Sequence, residues 1–405
     1  MKPISNKITS GTIVPTGMSS LSDLCIQLKE QIKSRSFSDL SLQNRYGYDS
    51  MRAFMITDSQ GLYEWKQRAS KQAPGRTVLD LEADSLHRHR EKLCLIQYGD
   101  ADGVAIIDPL AIEDMNLFTL WLKDADVWMH GADYDMSLLQ NAFGVLPHMI
   151  LDTQIAARLL GFRQFGLAAL VEHFYGIKLS KKNQKADWGM RPMPAEMKAY
   201  AQGDVKFMLG MADKLVEALK EKGRYEWFIE SCEHNLARGR ERFENADTEP
   251  WRIKGSGKLN RRGLAALRTL WTWRDNEAAQ WDKPSFMVCS NDDLIRWSLA
   301  LQEFRTAHPN HHFHAYRSAR FRKAVEKFQL MDEDEYPQLP KKQRHEVDPD
   351  FEATLEKWTA KRNAVAEELD LEPTIIATRY QLEAIAAHPE KGLGHLMKWQ
   401  RELLS

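Results

Sequence analysis

Two regimes of hydrophobic patterning meet near residue 224. Between residues 53 and 220, short apolar runs alternate with stretches of helical periodicity, which is the pattern of an α/β domain. The runs predict strands at 53–56, 77–81, 92–98, 103–107 and 127–130, and helices at 61–69, 133–143, 153–160, 167–175 and 195–219. Short connections between 77–81, 92–98 and 103–107 read as an antiparallel meander joined to a more parallel part. Beyond Arg224 the strand signals vanish and the periodicity is helical throughout, interrupted by a polar, Pro-containing region at 337–349. Residues 1–50 are rich in Ser and Asn, with one amphipathic stretch at 21–32, and are expected to be a mobile extension; Met51 offers an alternative start.

The helical half repeats itself. Leu267, Leu270, Arg274, Ala278, Asp282, Val288 and Leu294 recur as Leu355, Trp358, Arg362, Ala366, Asp370, Ile376 and Leu382, each shifted by 88 positions. Such a period is too long for a solenoid unit, so two copies of one small helical domain are expected, at 245–330 and 345–405, after an α/β domain at 51–225. Four tryptophans at helical spacing, Trp271, Trp273, Trp281 and Trp358, are expected in the cores of these domains.

Composition narrows the class without choosing a function. With 56 Lys+Arg against 57 Asp+Glu, the chain has no overall field to draw in a polyanion, so any nucleic-acid role must rest on local patches. The four cysteines are far apart and form no C-x-x-C pair, which speaks against a disulfide framework or a cysteine zinc site. No run of about 18 apolar residues and no signal pattern is present, so a cytoplasmic protein with no membrane partner is expected. A phosphate loop is absent at the one Gly-rich candidate: Gly255-Ser256-Gly257-Lys258 has Arg252 where the first Gly should stand and Leu259 after the Lys, so no nucleoside triphosphate is expected to bind.

The candidate chemistry is carboxylate-based. In Asp80-Leu81-Glu82, at the end of a strand, residues two apart face the same side, so both acids project together while Leu81 points inward. Two like charges on one face are costly unless a divalent cation neutralises them, and hard Mg²⁺ or Mn²⁺ is the natural partner. A second acid pair, Asp133 and Asp135, follows His130-Gly131 at the start of a helix, with Asp133 placed as the N-cap and Asp135 in the first turn. Asp152-Thr153-Gln154 opens the next helix with a capping role. In the third element, Tyr200 and Asp204 are four apart on one helix and share a face.

In this order the elements resemble the DEDDy exonuclease pattern. More closely, the stretch from about 53 to 220 resembles the ribonuclease D family through Asp80-Leu81-Glu82, Lys92 to Gln97, Ile107-Asp108-Pro109-Leu110, Leu151 to Gln154, Asp187-Trp188 with Arg191-Pro192, and Tyr200 to Asp204. The two helical repeats resemble HRDC domains, the second less closely, because Leu371-Glu372-Pro373 stands where the first has Lys283-Pro284. The resemblance implies an α/β exonuclease domain with a ribonuclease H-like mixed sheet flanked by helices, followed by two all-α HRDC-like domains. It also implies two divalent metal ions held by Asp80, Glu82, Asp135 and Asp204, with Tyr200 orienting the attacking water, since an unperturbed tyrosine is a poor base at neutral pH. His130 is expected to be structural.

The implied activity is 3′-5′ exonucleolytic release of nucleoside 5′-monophosphates from RNA, such as tRNA precursors. A DNA-directed exonuclease acting on single-stranded DNA and a non-catalytic nucleic-acid-binding scaffold are the alternatives. Arg88 and Arg90 after the D-x-E strand, and Lys181, Lys182, Lys185 and Arg191 in the loop before Tyr200, are the candidate backbone contacts. Arg317, Arg320, Arg322 and Lys323 form a second basic patch. Removal of residues 245–405 is expected to weaken binding of long structured RNA more than cleavage of short oligonucleotides.

Overall fold

The computed structural model describes residues 53–180, 182–244, 249–339 and 350–405. The expected N-terminal extension and Lys181 therefore lie outside the described residues. The chain starts as β1 (Ala53–Ile56), α1 (Ser59–Ala69), β2 (Thr77–Ala83), β3 (Leu93–Asp100), β4 (Gly103–Ile107), α2 (Asn116–Asp124), β5 (Asp126–Met129), α3 (Asp133–Phe143), β6 (Met149–Asp152), α4 (Thr153–Leu159) and α5 (Leu167–Tyr175). It continues with α6 (Ala195–Lys206), α7 (Met208–Glu221) and α8 (Tyr225–Glu244). The strands form one six-stranded sheet in the order β1-β4-β3-β2-β5-β6. The expected meander is there: β2 to β4 pair antiparallel, while β1 with β4, β2 with β5, and β5 with β6 are parallel.

Alternation along β2 sorts its residues between two layers. Leu79 and Leu81 join the core beneath α1, α2 and α3 with Trp65, Phe118, Trp121 and Leu139. Val78 faces the other way, into a core built with α4, α7 and α8. Over the neighbouring strands, Leu95 and Ile106 pack against Met197 and Ala201 of α6. All eight residues of β3 are buried, so this strand is the centre of the domain.

The structure differs from the sequence expectations at several points. Helix α2 and strand β6 were not foreseen. The helix expected over 195–219 is two helices broken at Phe207, whose carbonyl is shared between the Met211 amide at 3.0 Å and the Tyr175 hydroxyl at 3.4 Å. The α/β domain does not end at 225: Phe228, Cys232 and Leu236 of α8 are buried in its two cores.

The repeat is realised in the first three helices of each copy. The first copy contains α9 (Arg261–Trp281), α10 (Ser285–Val288), α11 (Asn291–Gln302) and α12 (Ala315–Gln329); the second contains α13 (Phe351–Glu368), α14 (Pro373–Ile376), α15 (Arg379–Ala387), α16 (Pro389–Gly394) and α17 (Lys398–Leu404). Helices α9 and α13 each end in a left-handed aspartate, Asp282 at φ 50° and Asp370 at φ 52°. Asp tolerates that conformation better than most side chains. Helices α11 and α15 each open with a capping box, on Ser290 and Thr378. Arg274 donates to the Cys289 carbonyl at 3.3 Å and Arg362 to the Ala377 carbonyl at 3.0 Å, again 88 residues apart.

Each copy has a core of its own, around Leu270, Trp273, Trp297 and Phe321 in the first and Leu355, Ile376, Leu382 and Ile385 in the second. Trp281 departs from expectation. It is 48% exposed, because the helix turns left-handed one residue later and leaves the ring on the outside. The helical half is also packed into the α/β domain. Trp399 of α17 is buried in the α/β core and stacked on Trp227 with ring centroids 5.0 Å apart, while Glu230 accepts the Lys398 and Trp399 amides. Removing residues 245–405 would therefore open the α/β core itself. No described helix is long and apolar enough to cross a membrane.

Candidate active site

The alternation that buries Leu79 and Leu81 turns Asp80 and Glu82 to the opposite face, beneath α6. A register shift follows at Glu82/Ala83, so the strand pairing changes immediately after the second acid. Asp204 is delivered from α6, which is anchored on the sheet by Met197 and Ala201. The structure brings these three together: ligand oxygens of Asp80, Glu82 and Asp204 all lie within 4.8 Å of one another.

Asp135 joins the cluster from α3 and is buried. Its position depends on a turn whose parts the sequence only half revealed. Gly131 adopts φ +68°, and a Cβ there would stand 3.0 Å from Nε2 of Gln154. The carboxylate of Asp152 then accepts the amides of Gly131 at 2.9 Å and Ala132 at 3.0 Å, while also capping α4 through the Gln154 amide at 2.7 Å. Asp133 is not the N-cap as expected; Ala132 holds that position without a side-chain bond, and Asp152 satisfies the turn from across the sheet. The only sequence signal for this role was the Leu-Asp-Thr-Gln run, read there as a simple cap. His130 is structural: Nδ1 lies 2.8 Å from Thr153 Oγ1, and burial depresses its pKa.

Bringing these acids together is electrostatically expensive. Burial, and then the neighbouring Asp80, Asp204 and Asp135, push Glu82 up to about 10. Burial moves Asp80 to about 7 and, with Asp80 beside it, Asp204 to about 8. Asp135 is raised as well, by burial and then by Asp80 and Asp152. No Lys, Arg or His is paired with Asp80, Glu82, Asp135 or Asp204 among the described ion pairs. An all-oxygen donor set of clustered acids whose ionised forms lack a protein counter-charge fits hard divalent cations.

Tyr200 and Asp204 share one face of α6, one turn apart, and the Tyr200 ring lies 5.9 Å from that of buried Trp188. Burial, with Asp204, Glu82 and Asp80 close by, raises its pKa above the ordinary tyrosine range, so the phenol stays protonated. A cavity of about 390 Å³ borders Tyr200 and Asp204 and is lined by Lys178, Lys182, Asn183 and Glu196. Gln97, which the sequence did not mark as functional, stands directly across from Asp80 in the β2–β3 ladder and is fully buried.

The candidate backbone contacts divide. Arg191 is spent within the fold: it forms a two-pronged pair with Asp108 at 2.6 and 2.7 Å and donates to the carbonyls of Cys94, Trp188 and Met190. This guanidinium fastens the 188–191 loop to the sheet and is not available to a phosphate. Arg88 lies between Asp187 at 3.4 Å and Asp282 at 3.6 Å, and Lys182 pairs with Glu196 at 2.8 Å. Arg90 and Lys185 are exposed and make no ion pair among the described residues. In the second basic patch, Arg317 and Arg320 are committed to buried Glu277, leaving Arg322 and Lys323 on the surface.

Residues 53–220 match a family of 3′-5′ exonuclease domains. The chain is 33% identical over 250 residues to ribonuclease D of Cronobacter turicensis, an alignment covering 61% of this chain and 66% of that protein. It is 31% identical over 227 residues to ribonuclease D of Escherichia coli K12, covering 55% and 60%. These alignments thus span less than two thirds of the curated relatives. Among solved structures it is similar to Escherichia coli RNase D, described as an exoribonuclease involved in structured RNA processing, with TM-score 0.67 and 25% identity over 87% of this chain and 96% of that one. A protein from Bifidobacterium adolescentis shares the fold, with TM-score 0.70, 24% identity and 87% and 94% coverage.

Proposed function

We propose, from the 3′-5′ exonuclease domain that residues 53–220 match and from the similarity to ribonuclease D, that the chain is a divalent-metal-dependent 3′-5′ exoribonuclease of the cytoplasm. It removes nucleoside 5′-monophosphates from RNA 3′ ends, with structured RNA such as tRNA precursors as substrate. The observation that carries this reading is the convergence of Asp80, Glu82 and Asp204 within 4.8 Å, with Asp135 and Tyr200 against them.

Asp80, Glu82, Asp135 and Asp204 would hold two ions, Mg²⁺ or Mn²⁺. Bound there, the metal supplies Lewis-acid activation of water and charge neutralisation on the scissile phosphate and leaving oxygen. The protein's own part is orientation. Tyr200 stands on the same face of α6 as Asp204, and its raised pKa makes it a positioner of the attacking water and not its base. The cavity next to Tyr200 receives the terminal nucleotide, and Arg90 and Lys185 meet the preceding phosphates. Lys182 and Arg88 can reach the same backbone by exchanging a surface carboxylate for a phosphate.

The test is degradation of 5′-labelled single-stranded RNA and DNA by wild type and Asp80→Asn, with Mg²⁺, Mn²⁺ or EDTA. Expected is stepwise shortening of RNA from the 3′ end that needs metal and is absent in the variant. Faster loss of DNA would replace RNA by DNA as substrate, and no wild-type hydrolysis of either would overturn the enzyme reading.

A further inference from the structure

The duplication provides an internal control for surface function, because residues 88 apart occupy the same place in two copies of one fold. At the corner where the long helix of each copy ends, the first copy carries Trp281, Phe286 and Met287, and the second carries Leu369, Thr374 and Ile375. In the second copy this corner is an anchor. Arg224 donates to the Leu369 carbonyl at 2.8 Å, Arg163 to the Asp370 carboxylate at 3.2 Å, and Ile375 packs against the α/β core. In the first copy the same corner leaves its three large side chains open: Trp281 is 48% exposed, Phe286 56% and Met287 42%. Where the second copy places Leu, Thr and a packed Ile, the first copy thus presents two aromatic rings and a Met to solvent.

That open corner is tied to the loop that leaves the catalytic strand. Lys283 donates to the His87 carbonyl at 3.3 Å, Asp282 accepts the His89 amide at 3.4 Å and stands 3.6 Å from Arg88, and His89 Nε2 lies 2.8 Å from Asp275. His87 is five positions after Glu82, at most about 18 Å of extended chain. Two cations lie at this corner: Lys283 in the turn between Trp281 and Phe286, and Arg317, which is paired with Glu277 and whose guanidinium lies 5.1 Å from the centre of the Trp281 ring. Exposed aromatic faces interleaved with cations are the composition of a single-strand nucleic-acid platform, where bases stack and phosphates pair.

We infer that Trp281 and Phe286, with Met287 beside them, form a base-stacking platform on the first helical repeat for the single-stranded RNA segment that leads into the active site. The inference rests on the exonuclease reading, and it adds a second contact, several nucleotides upstream of the 3′ end. Stacking is indifferent to base identity, so the platform grips any 3′ tail that is long enough and free of pairing. A substrate of two or three nucleotides occupies the cavity and the phosphate contacts next to it, and ends short of the platform.

The experiment exchanges the first corner's residues for those of the second. In full-length protein, Trp281→Leu, Phe286→Thr and the double variant are compared with wild type by fluorescence anisotropy of a labelled 20-nucleotide single-stranded RNA, with EDTA present to stop hydrolysis, and by hydrolysis of a trinucleotide with metal. Each single variant is expected to bind the 20-mer about tenfold more weakly, and the double variant more weakly still, with the trinucleotide rate unchanged. Circular dichroism and the melting temperature check that the fold is intact. Unchanged affinity for the 20-mer in the folded double variant overturns the platform. So does an equal loss on trinucleotide and 20-mer, which would make the corner a support for the catalytic loop. A wild type that binds the 20-mer but hydrolyses nothing removes the exonuclease reading and leaves the anisotropy comparison to judge the platform alone.

Discussion

Gln97 faces Asp80 across the β2–β3 ladder, fully buried, and neither end of its carboxamide has a hydrogen-bond partner among the described residues. A buried amide left without partners costs on the order of 1–3 kcal/mol. Cross-strand partners place their Cβ atoms about 5 Å apart, so the amide is within reach of the Asp80 carboxylate when that group is ionised. Gln97→Met keeps the length and removes the polarity. It is expected to raise the urea midpoint while raising the Mn²⁺ concentration needed for half-maximal hydrolysis. A lower urea midpoint with an unchanged metal requirement would mean the amide is a structural group only.

Tyr200 provides a separate test of how the acids are used. Its hydroxyl shares a helix face with Asp204 and stays protonated, so Tyr200→Phe removes an orienting group without removing a metal ligand. The turnover number is expected to fall roughly 100-fold with little change in the metal requirement, as measured by single-turnover hydrolysis of a short labelled RNA over a metal titration. A large shift in metal requirement would show that the hydroxyl acts by supporting Asp204.

The parts of this site that were legible in the sequence are those carried by local periodicity. Asp80 and Glu82 are two apart on a strand, and Tyr200 and Asp204 are four apart on a helix, so each pair shares a face whatever the rest of the fold does. The roles of Asp152 and Arg191 were hidden because their partners are distant in sequence: Asp152 serves amides 20 and 21 residues earlier, and Arg191 serves an acid 83 residues earlier. A cation run in a loop looks the same whether it faces phosphate or a buried aspartate. Trp281 was misread because helical spacing shows which face a residue shares, and cannot show that the helix stops one residue later. The repeat was legible because Asp282 and Asp370 mark the same left-handed stop in both copies.

Glu277 predicts a pH dependence remote from the acid cluster. Burial by itself would raise its carboxyl, but the guanidiniums of Arg320 and Arg317 more than offset this and hold it below the usual range. A folded-state pKa below the unfolded one gives stability that is present above about pH 4.5 and is lost as the pH falls through the folded value. Glu277→Gln is expected to be less stable than wild type at pH 7, by about 1–3 kcal/mol after allowing for the partial exposure of Arg320, and the difference should shrink between about pH 5 and 3. Urea unfolding across that range tests it. A difference that stays constant with pH would assign the loss to packing.

Trp399 decides whether the second helical repeat is an accessory or part of the α/β fold. Its ring is 2% exposed, stacks on Trp227 and donates through Nε1 to Ser231 Oγ at 3.2 Å, 168 residues earlier in the chain. Ser231 in turn donates to the Trp227 carbonyl at 2.6 Å, so one side chain from the last helix completes a polar and an aromatic contact on α8. Truncating a buried tryptophan costs about 3–5 kcal/mol. Trp399→Ala is therefore expected to lower the melting temperature of the exonuclease domain itself and to reduce hydrolysis of short and long RNA alike at temperatures near that transition. At lower temperature, where the variant is folded, trinucleotide hydrolysis should return to the wild-type rate, because Trp399 touches none of the acids. Differential scanning calorimetry with parallel activity measurements checks both parts. A variant that melts as wild type does while losing only long-RNA binding would return the second repeat to the role of a detachable RNA grip.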